Sequence, residues 1–183
     1  GRIGQLAEVH CDFFIGARFG LNARDNFRNT MAHPLILDMA IHTFDSCRQI
    51  SGCDPVSVYC HTSNPGHSWY DGDASATAIF DMKTPDGQPV VYTYRGSWTN
   101  HGLQTSWNAD WRIVGSDGTL KWDGGTGVES ETVQTREADE MFYGLDHTQY
   151  HVPKEKLGGH AFMLDNFAQA IQTGDHSNVF CPC

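Results

Sequence analysis

The sequence predicts an α+β fold in which a mainly antiparallel, open β-sheet carries helices on one face. Two observations support this prediction. Strand-like segments follow one another from residue 56 to residue 135, and short turn sequences connect them. Segments with helical periodicity flank this region at residues 34–51 and 160–174. A length of 183 residues suits one domain with a hydrophobic core of its own.

The first elements are expected to be a strand, a loop and a helix. Apolar and polar side chains alternate over residues 6–15, which indicates a strand. Residues 16–30 are rich in glycine, asparagine and arginine and are expected to form a loop. The segment 34–51 predicts a helix, because Pro34 suits a first helical turn and Gly52 suits the position after a helix end.

The strands of the sheet are expected next. TPDGQ at 84–88 and GSDG at 115–118 are turn signals that join neighbouring strands into hairpins. The polar alternation of residues 128–135 indicates an edge strand, residues 136–159 are expected to be irregular, and Gly174 ends the last helix. The strand-like runs are residues 56–61, 74–82, 90–98, 110–114, 119–122 and 128–135.

A sheet of this size has a second face, and aromatic side chains are expected to cover it. Such a face either packs against a partner subunit or belongs to an ordinary two-sided core. We therefore expect a homo-oligomer formed through the sheet face. The aromatic residues in question are Tyr59, Tyr92, Tyr94, Trp98, Trp107 and Trp111.

Composition excludes several classes of partner. The chain has 12 basic and 22 acidic residues, a net charge of −10, so it lacks the clustered cations that a nucleic-acid backbone requires. No apolar run approaches the roughly 18 residues that span a bilayer. A hydrophobic fraction of 39% with 11% aromatics is typical of a folded chain.

Cysteines and histidines give no metal-binding spacing of their own. The 6 cysteines are too sparse for a disulfide framework and are expected to be reduced and structural, which indicates a cytoplasmic protein. Most of the 10 histidines, His67 and His101 among them, are isolated in the sequence. Surface or satisfied core roles are expected for these.

One constellation on the helix at 34–51 has catalytic potential. At about 100° per residue, Asp38, His42, Asp45 and Gln49 form a narrow polar stripe opposite a broad apolar face. A carboxylate beside an imidazole orients the ring and suits proton exchange with a substrate hydroxyl. Two alternatives stay open: the stripe is the solvated face of a non-catalytic binding or assembly module, or Asp38 and His42 are ligands in a metal-dependent enzyme.

These residues resemble a known family, the C-terminal domain of the glucose–fructose oxidoreductase / inositol dehydrogenase / MocA (Gfo/Idh/MocA) oxidoreductases. The family has an Asp, a His four residues on and an Asp three further on, in a helix that ends at Gly before a turn with Pro. Asp38, His42, Asp45, Gly52 and Pro55 match that pattern. Three further segments resemble the family in the same order: GRIGQLAEV, ADWRIVGSDGTLKW and AFMLDNFAQAIQTGD.

The resemblance implies a glyceraldehyde-3-phosphate dehydrogenase-like fold and an activity. Members are NAD(P)-dependent oxidoreductases of sugars, polyols and related compounds, and their substrate lies between this domain and an N-terminal Rossmann domain. By resemblance, His42 is the acid/base, and Asp38 orients it and the substrate. Asp45 and Arg28 contact the substrate, and His33 either lies near the substrate or caps the helix.

The chain also departs from the family pattern. The dinucleotide-binding fingerprint and the Lys of the family's Glu-Lys-Pro motif are missing. Residues 1–183 are therefore expected to be a truncated substrate-binding and oligomerisation domain, inactive alone and binding no cofactor or metal. The parent would hold NAD or NADP in its own Rossmann domain, with a sugar- or polyol-like substrate as the other partner.

Overall fold

A computed structural model describes residues 1–20, 25–134, 141–151 and 159–175 of the chain. The chain divides into two compact units, Gly1–Val152 and Pro153–Cys183. In the first unit the helices are α1 (Phe27–Thr30) and α2 (Ile41–Ser51), and a π-helical segment, Leu35–Ala40, leads directly into α2. The strands are β1 (Leu6–Phe14), β2 (Asp54–Ser63), β3 (Ser75–Lys83), β4 (Pro89–Ser97), β5 (Asp110–Gly115), β6 (Gly118–Trp122), β7 (Gly127–Val133) and β8 (Leu145–His151). The second unit contributes α3 (Gly159–Thr173).

The eight strands form one sheet in the order β2-β3-β4-β1-β5-β6-β7-β8. Only β1 and β4 pair in parallel, and all other neighbours are antiparallel. The connection from β1 to β2 runs through the helices, and β3 and β4 then return by hairpins to fill the space between those two strands. The predicted α+β class and the mainly antiparallel open sheet are confirmed.

The core lies between α2 and the central strands. Leu35, Ala40 and Cys47 of the helical segment are fully buried against the sheet. Phe44 of α2 packs edge-on against Phe80 and Tyr94, with ring centroids 5.0 and 5.2 Å away. The sheet face that meets α2 is called the inner face below, and the opposite one the outer face.

The aromatic residues mark a correction to the sequence prediction. Tyr92, Tyr94, Trp98 and Trp111 are all at most 2% exposed and belong to the inner core, not to the second face. Tyr92 stacks on Trp111 at 6.4 Å, and both lie on the side of α2. Of the aromatics named for the second face, Tyr59 is the one that the described strands place there. Val58 and its cross-strand partner Phe80 lie on the inner face, and alternation puts the next residue, Tyr59, on the outer face.

The outer face is mainly polar instead. Ion pairs join side chains of neighbouring strands on this face, where oppositely charged residues lie across from each other. Arg95 of β4 donates from Nε to Asp12 of β1 at 2.8 Å. Lys121 of β6 donates to Glu129 of β7 at 2.9 Å.

Three element predictions were wrong. Phe27–Thr30, inside the loop expected at residues 16–30, forms the helix α1. Residues 145–151, expected to be irregular, form β8, which pairs with β7 from Val133–Leu145 to Gly127–His151. Strand β7, which the sequence predicts as an edge strand, therefore has a neighbour on both sides, and β8 is the edge strand of the sheet. The helix at 34–51 is not uniformly α-helical, because its first part is π-helical.

The helix ends and the turns follow the sequence signals. Gly52 takes a left-handed φ of 65° and donates its N–H to the Arg48 carbonyl at 2.8 Å, so glycine is required there. The β3–β4 turn carries Gly87 at a φ of 86°. Across the described residues, no helix is both long and apolar enough to cross a bilayer.

Candidate functional site

The chain that enters the helical segment is fixed against the loop before β3. The Asp71 N–H donates to the Asn29 carbonyl at 2.9 Å, and the Asp73 N–H donates to the Ala32 carbonyl at 2.8 Å. Between them, Gly72 comes so close that an added Cβ would lie 2.1 Å from the Met31 carbonyl oxygen. These contacts fix the position of the residues on either side of Pro34.

Arg28 and Asp38 form the central ion pair of the site. The Arg28 Nε donates to Asp38 Oδ2 at 2.6 Å, and the two side chains are only 29% and 21% exposed. Asn26 caps α1 by accepting from the Arg28 N–H at 3.0 Å. The guanidinium carbon also lies 4.6 Å from the Phe27 ring centroid and 5.1 Å from that of Phe19. Arg28 is therefore held on several sides, and Asp38 is anchored by it.

His42 lies in the first turn of α2, and its side chain is exposed. Among the described residues the imidazole has no hydrogen-bond or ion-pair partner, and the Asp38 carboxylate is bound to Arg28 instead. The neighbouring side chains of Leu37 and Ile41 are 61% and 54% exposed. The free imidazole thus lies beside an uncovered apolar surface.

Asp45 is exposed, and among the described residues its ion-pair neighbour is Arg48, whose Nη1 lies 4.0 Å from the carboxylate. Arg48 instead donates from Nε and Nη2 to the Asp54 carboxylate, at 3.0 and 2.7 Å. Asp45 lies on the same helix as His42, and its carboxylate is available to a ligand. Among the described residues, Asp45 forms no ion pair with Arg28.

His33 pairs with Asp73. Its Nδ1 lies 3.3 Å from Asp73 Oδ2, and the same carboxylate oxygen accepts from the Thr62 hydroxyl. Of its two expected roles, capping by the side chain is not seen, since Pro34 begins the helical segment without a side-chain cap. Asp73 was not among the residues singled out in the sequence, because only the fold brings the 70–73 loop to the helix.

Tyr70 is a second residue that sequence reasoning missed. Its side chain is buried, and its hydroxyl donates to the Ala17 carbonyl. Burial raises the pKa of the Tyr70 phenol, nearby Arg28 lowers it and Asp38 raises it. The hydroxyl is therefore a neutral hydrogen-bond donor close to the ion pair. Its neighbours in WYDGD carry no motif that could have identified it.

Neither a glycine-rich turn that leads into a helix nor a cluster of metal-ligating side chains occurs among the described residues. The glycine-rich run at 124–127 lies between two antiparallel strands, β6 and β7, where no helix N-terminus is available to a pyrophosphate. Among the described residues there is also no group of three or more His, Cys, Asp and Glu side chains able to hold a metal ion. Asp38, one of the two suggested metal ligands, is bound to Arg28.

Comparison with known proteins identifies the family. The family model described as the GFO/IDH/MocA C-terminal domain matches residues 1–121. The uncharacterized protein y4oX of Sinorhizobium fredii (strain NBRC 101917 / NGR234) is 29% identical over 122 residues, which are 66% of this chain and 32% of that protein. The chain thus spans about a third of the length of this curated relative.

Solved structures share the fold. An oxidoreductase from Agrobacterium radiobacter, in complex with NAD+, L-tartaric acid and magnesium, has a TM-score of 0.72 at 17% identity, over 98% of this chain and 50% of its own. A levoglucosan dehydrogenase in complex with NADH and levoglucosan has a TM-score of 0.66 at 18% identity, over 95% and 51%. The chain belongs to the GFO/IDH/MocA C-terminal domain family.

Proposed function

We propose that this chain is the substrate-binding domain of an NAD(P)-dependent oxidoreductase that acts on a sugar, a polyol or a related compound. The observation that carries the proposal is His42, an exposed imidazole without a partner among the described residues, in the Asp38–His42–Asp45 pattern of a GFO/IDH/MocA domain. The solved relatives that cover this chain include enzymes bound to a nicotinamide cofactor and a sugar derivative. The chain spans only about half of such proteins.

In this proposal His42 exchanges a proton with the substrate hydroxyl. Asp38 and Arg28 hold the helix start and contact the substrate, while Asp45 and His33 are further polar contacts at its edge. Hydride acceptance is the chemistry of NAD or NADP, held by a separate Rossmann domain that would cover the exposed Leu37 and Ile41. Substrate then lies at a domain interface, where ligand sites are common.

The test is His42→Gln in the full-length protein that contains this domain. We expect kcat/KM to fall about 10²- to 10⁴-fold, because a general acid/base is removed while the polarity of the side chain is kept. His147→Gln on the edge strand β8 is the matched control and should leave the rate unchanged. Equal rates for the His42 variant and the wild type would exclude His42 from the chemistry and favour a non-catalytic module.

We also propose that the protein self-associates through the outer sheet face. Support comes from exposed apolar side chains that neighbour one another there: Tyr59, Ile79 and Val91 are 70%, 47% and 38% exposed. Ile79→Glu should shift the sedimentation coefficient toward that of the monomer, because a charge opposes burial of this patch. A wild-type protein that sediments as a monomer at high concentration would contradict the proposal.

A further inference from the structure

A cavity of about 160 Å³ lies where β1 and β4 end. These two strands are parallel, so their carboxyl ends meet at the same edge of the sheet, and the loops that follow are joined by the Gly16–Thr99 bridge. Arg18 and His101 come from these two loops, and His67 comes from the loop before β3. Three residues that are distant in sequence therefore share one cavity.

One guanidinium and two imidazoles line this cavity. The Arg18 guanidinium carbon stacks 3.9 Å from the centroid of the Trp69 ring, and the His67 and His101 rings lie 5.4 Å apart. No Asp or Glu is among the described residues that line the cavity. Stacking on an indole leaves the N–H edges of a guanidinium free for a ligand.

The cavity wall is rich in donors. The His67 Nε2 lies 3.2 Å from the Thr99 carbonyl oxygen, which can only accept, so this nitrogen carries a proton and the ring is fixed in place. Two further lining residues, Trp69 and Trp98, have buried indole N–H groups without an acceptor among the described residues. Buried donors without partners are uncommon in folded proteins.

One aromatic layer separates this cavity from the Arg28–Asp38 pair. Trp98, in the cavity wall, stacks on Tyr70 at 5.7 Å and meets the Phe19 ring at 5.3 Å. Phe19 in turn lies under the guanidinium of Arg28, at 5.1 Å. Both sites therefore lie at the same end of the sheet, on the two sides of this aromatic layer.

We propose that this cavity binds an anionic group of the substrate, so that the substrate class is a sugar carrying a carboxylate or a phosphate. The inference rests on the proposed function and deepens it. The volume is below that of a pocket for a whole drug-sized ligand and suits one charged group. Arg18 would bind the anion through paired N–H groups, and His101 would complete the contacts.

The test is equilibrium binding to the full-length protein by isothermal titration calorimetry, with D-gluconate, D-glucitol 6-phosphate and neutral D-glucitol as probes. We expect a Kd at least tenfold lower for one or both anions than for D-glucitol. A lower Kd for D-gluconate alone would identify a carboxylate site, and a lower Kd for D-glucitol 6-phosphate alone would identify a phosphate site. Equal affinities for all three probes would overturn the proposal.

Variants assign the binding to the cavity. Arg18→Gln should raise the Kd of the preferred anion at least tenfold, and His101→Gln should also weaken binding of that anion. Circular dichroism checks that the fold of the variants is intact. Arg112→Gln, an exposed arginine on the outer face, is the matched control and should not change the Kd. If both cavity variants bind the anion as the wild type does, the assignment is wrong.

The outcome is independent of catalysis, because no turnover is needed to measure binding. A His42→Gln protein that loses turnover and keeps its preference for anions supports both proposals. Loss of that preference in Arg18→Gln without any dehydrogenase activity in the wild type would keep the anion site and reject the proposed function. Dehydrogenase activity on neutral sugars, with no preference for anions in binding, would support the proposed function and reject the anion site.

Discussion

Asp38 and Asp45 are the same residue type on one helical segment, yet their surroundings differ. Asp38 accepts from Arg28 at 2.6 Å and is 21% exposed, whereas Asp45 is 66% exposed and has Arg48 only at 4.0 Å. A hydrogen bond between charged groups with limited solvent access stabilises a fold more than an exposed pair does. The two residues therefore form a matched comparison.

We expect Asp38→Ala to lower the free energy of unfolding by about 1.5–3 kcal/mol, because Arg28 loses its charged acceptor. Asp45→Ala should stay within about 0.5 kcal/mol of the wild type. Urea denaturation of both variants gives the two values. Equal losses would mean that the Arg28–Asp38 pair does not stabilise the start of the helix.

The sequence identified these side chains unequally. Helical periodicity was enough to place Asp38, His42 and Asp45 on one polar stripe, because that relation is local. The partner of Asp38 was not local: Arg28 came only from the family resemblance, and no spacing rule links it to Asp38. His67 and His101 are far apart in the sequence, and no local pattern relates them. Their proximity depends on how two loops meet in the fold.

Among the elements, those with strong local signals were predicted well. Pro34 and Gly52 bound the helical segment as expected, and the TPDGQ turn joins β3 to β4. Strand β8 was missed because LDHTQYH is polar and its formation depends on pairing with β7. The π-helical segment was missed because a constant rotation of about 100° per residue assumes α-helical hydrogen bonds. Leu37 and Ile41, which a rotation of about 100° per residue places on the apolar face, are exposed.

The loop before β3 is the element that positions the candidate site. At Gly72 a Cβ would lie 2.1 Å from the Met31 carbonyl oxygen and 2.3 Å from that of Ala32, both of them backbone atoms. We expect Gly72→Ala to destabilise the protein by about 1–3 kcal/mol, because the two segments must separate. Gly66→Ala in the same loop meets nothing within 4 Å and serves as the control.

Urea midpoints of the two variants test this expectation. A second readout is the KM of the full-length enzyme, which Gly72→Ala should raise because Arg28 and His33 follow the displaced segment. A Gly72→Ala protein as stable as Gly66→Ala would show that the close packing of these two loops is dispensable.

At the scale of the whole molecule, the inner core holds ionisable groups that the fold keeps neutral. Burial raises the pKa of the Cys47 thiol to about 12 and raises the pKa values of Cys11, Tyr92 and Tyr94 further. Ordinary values are 9.0 for the thiol and 10.0 for the phenol. In the unfolded chain these groups lose their protons near those ordinary values, and in the folded chain they do not.

The sign of the effect on stability follows from that difference. Because the folded-state pKa is the higher one, the stability contribution is complete below about pH 9 and is lost as the pH rises above the unfolded values. Each such group then lowers the free energy of unfolding by up to about 1.4 kcal/mol per pH unit. We therefore expect the protein to unfold cooperatively in alkali.

Tyr94→Phe tests this origin of the alkaline transition. The hydroxyl is buried without a hydrogen-bond partner among the described residues, so its removal should leave the stability at pH 7 nearly unchanged. Above pH 10 the variant should be more stable than the wild type, since one group fewer ionises on unfolding. The measurements are urea midpoints between pH 7 and pH 11, with phenolate absorbance followed in parallel. A wild type and variant whose midpoints fall equally with pH would show that Tyr94 does not contribute to alkaline unfolding.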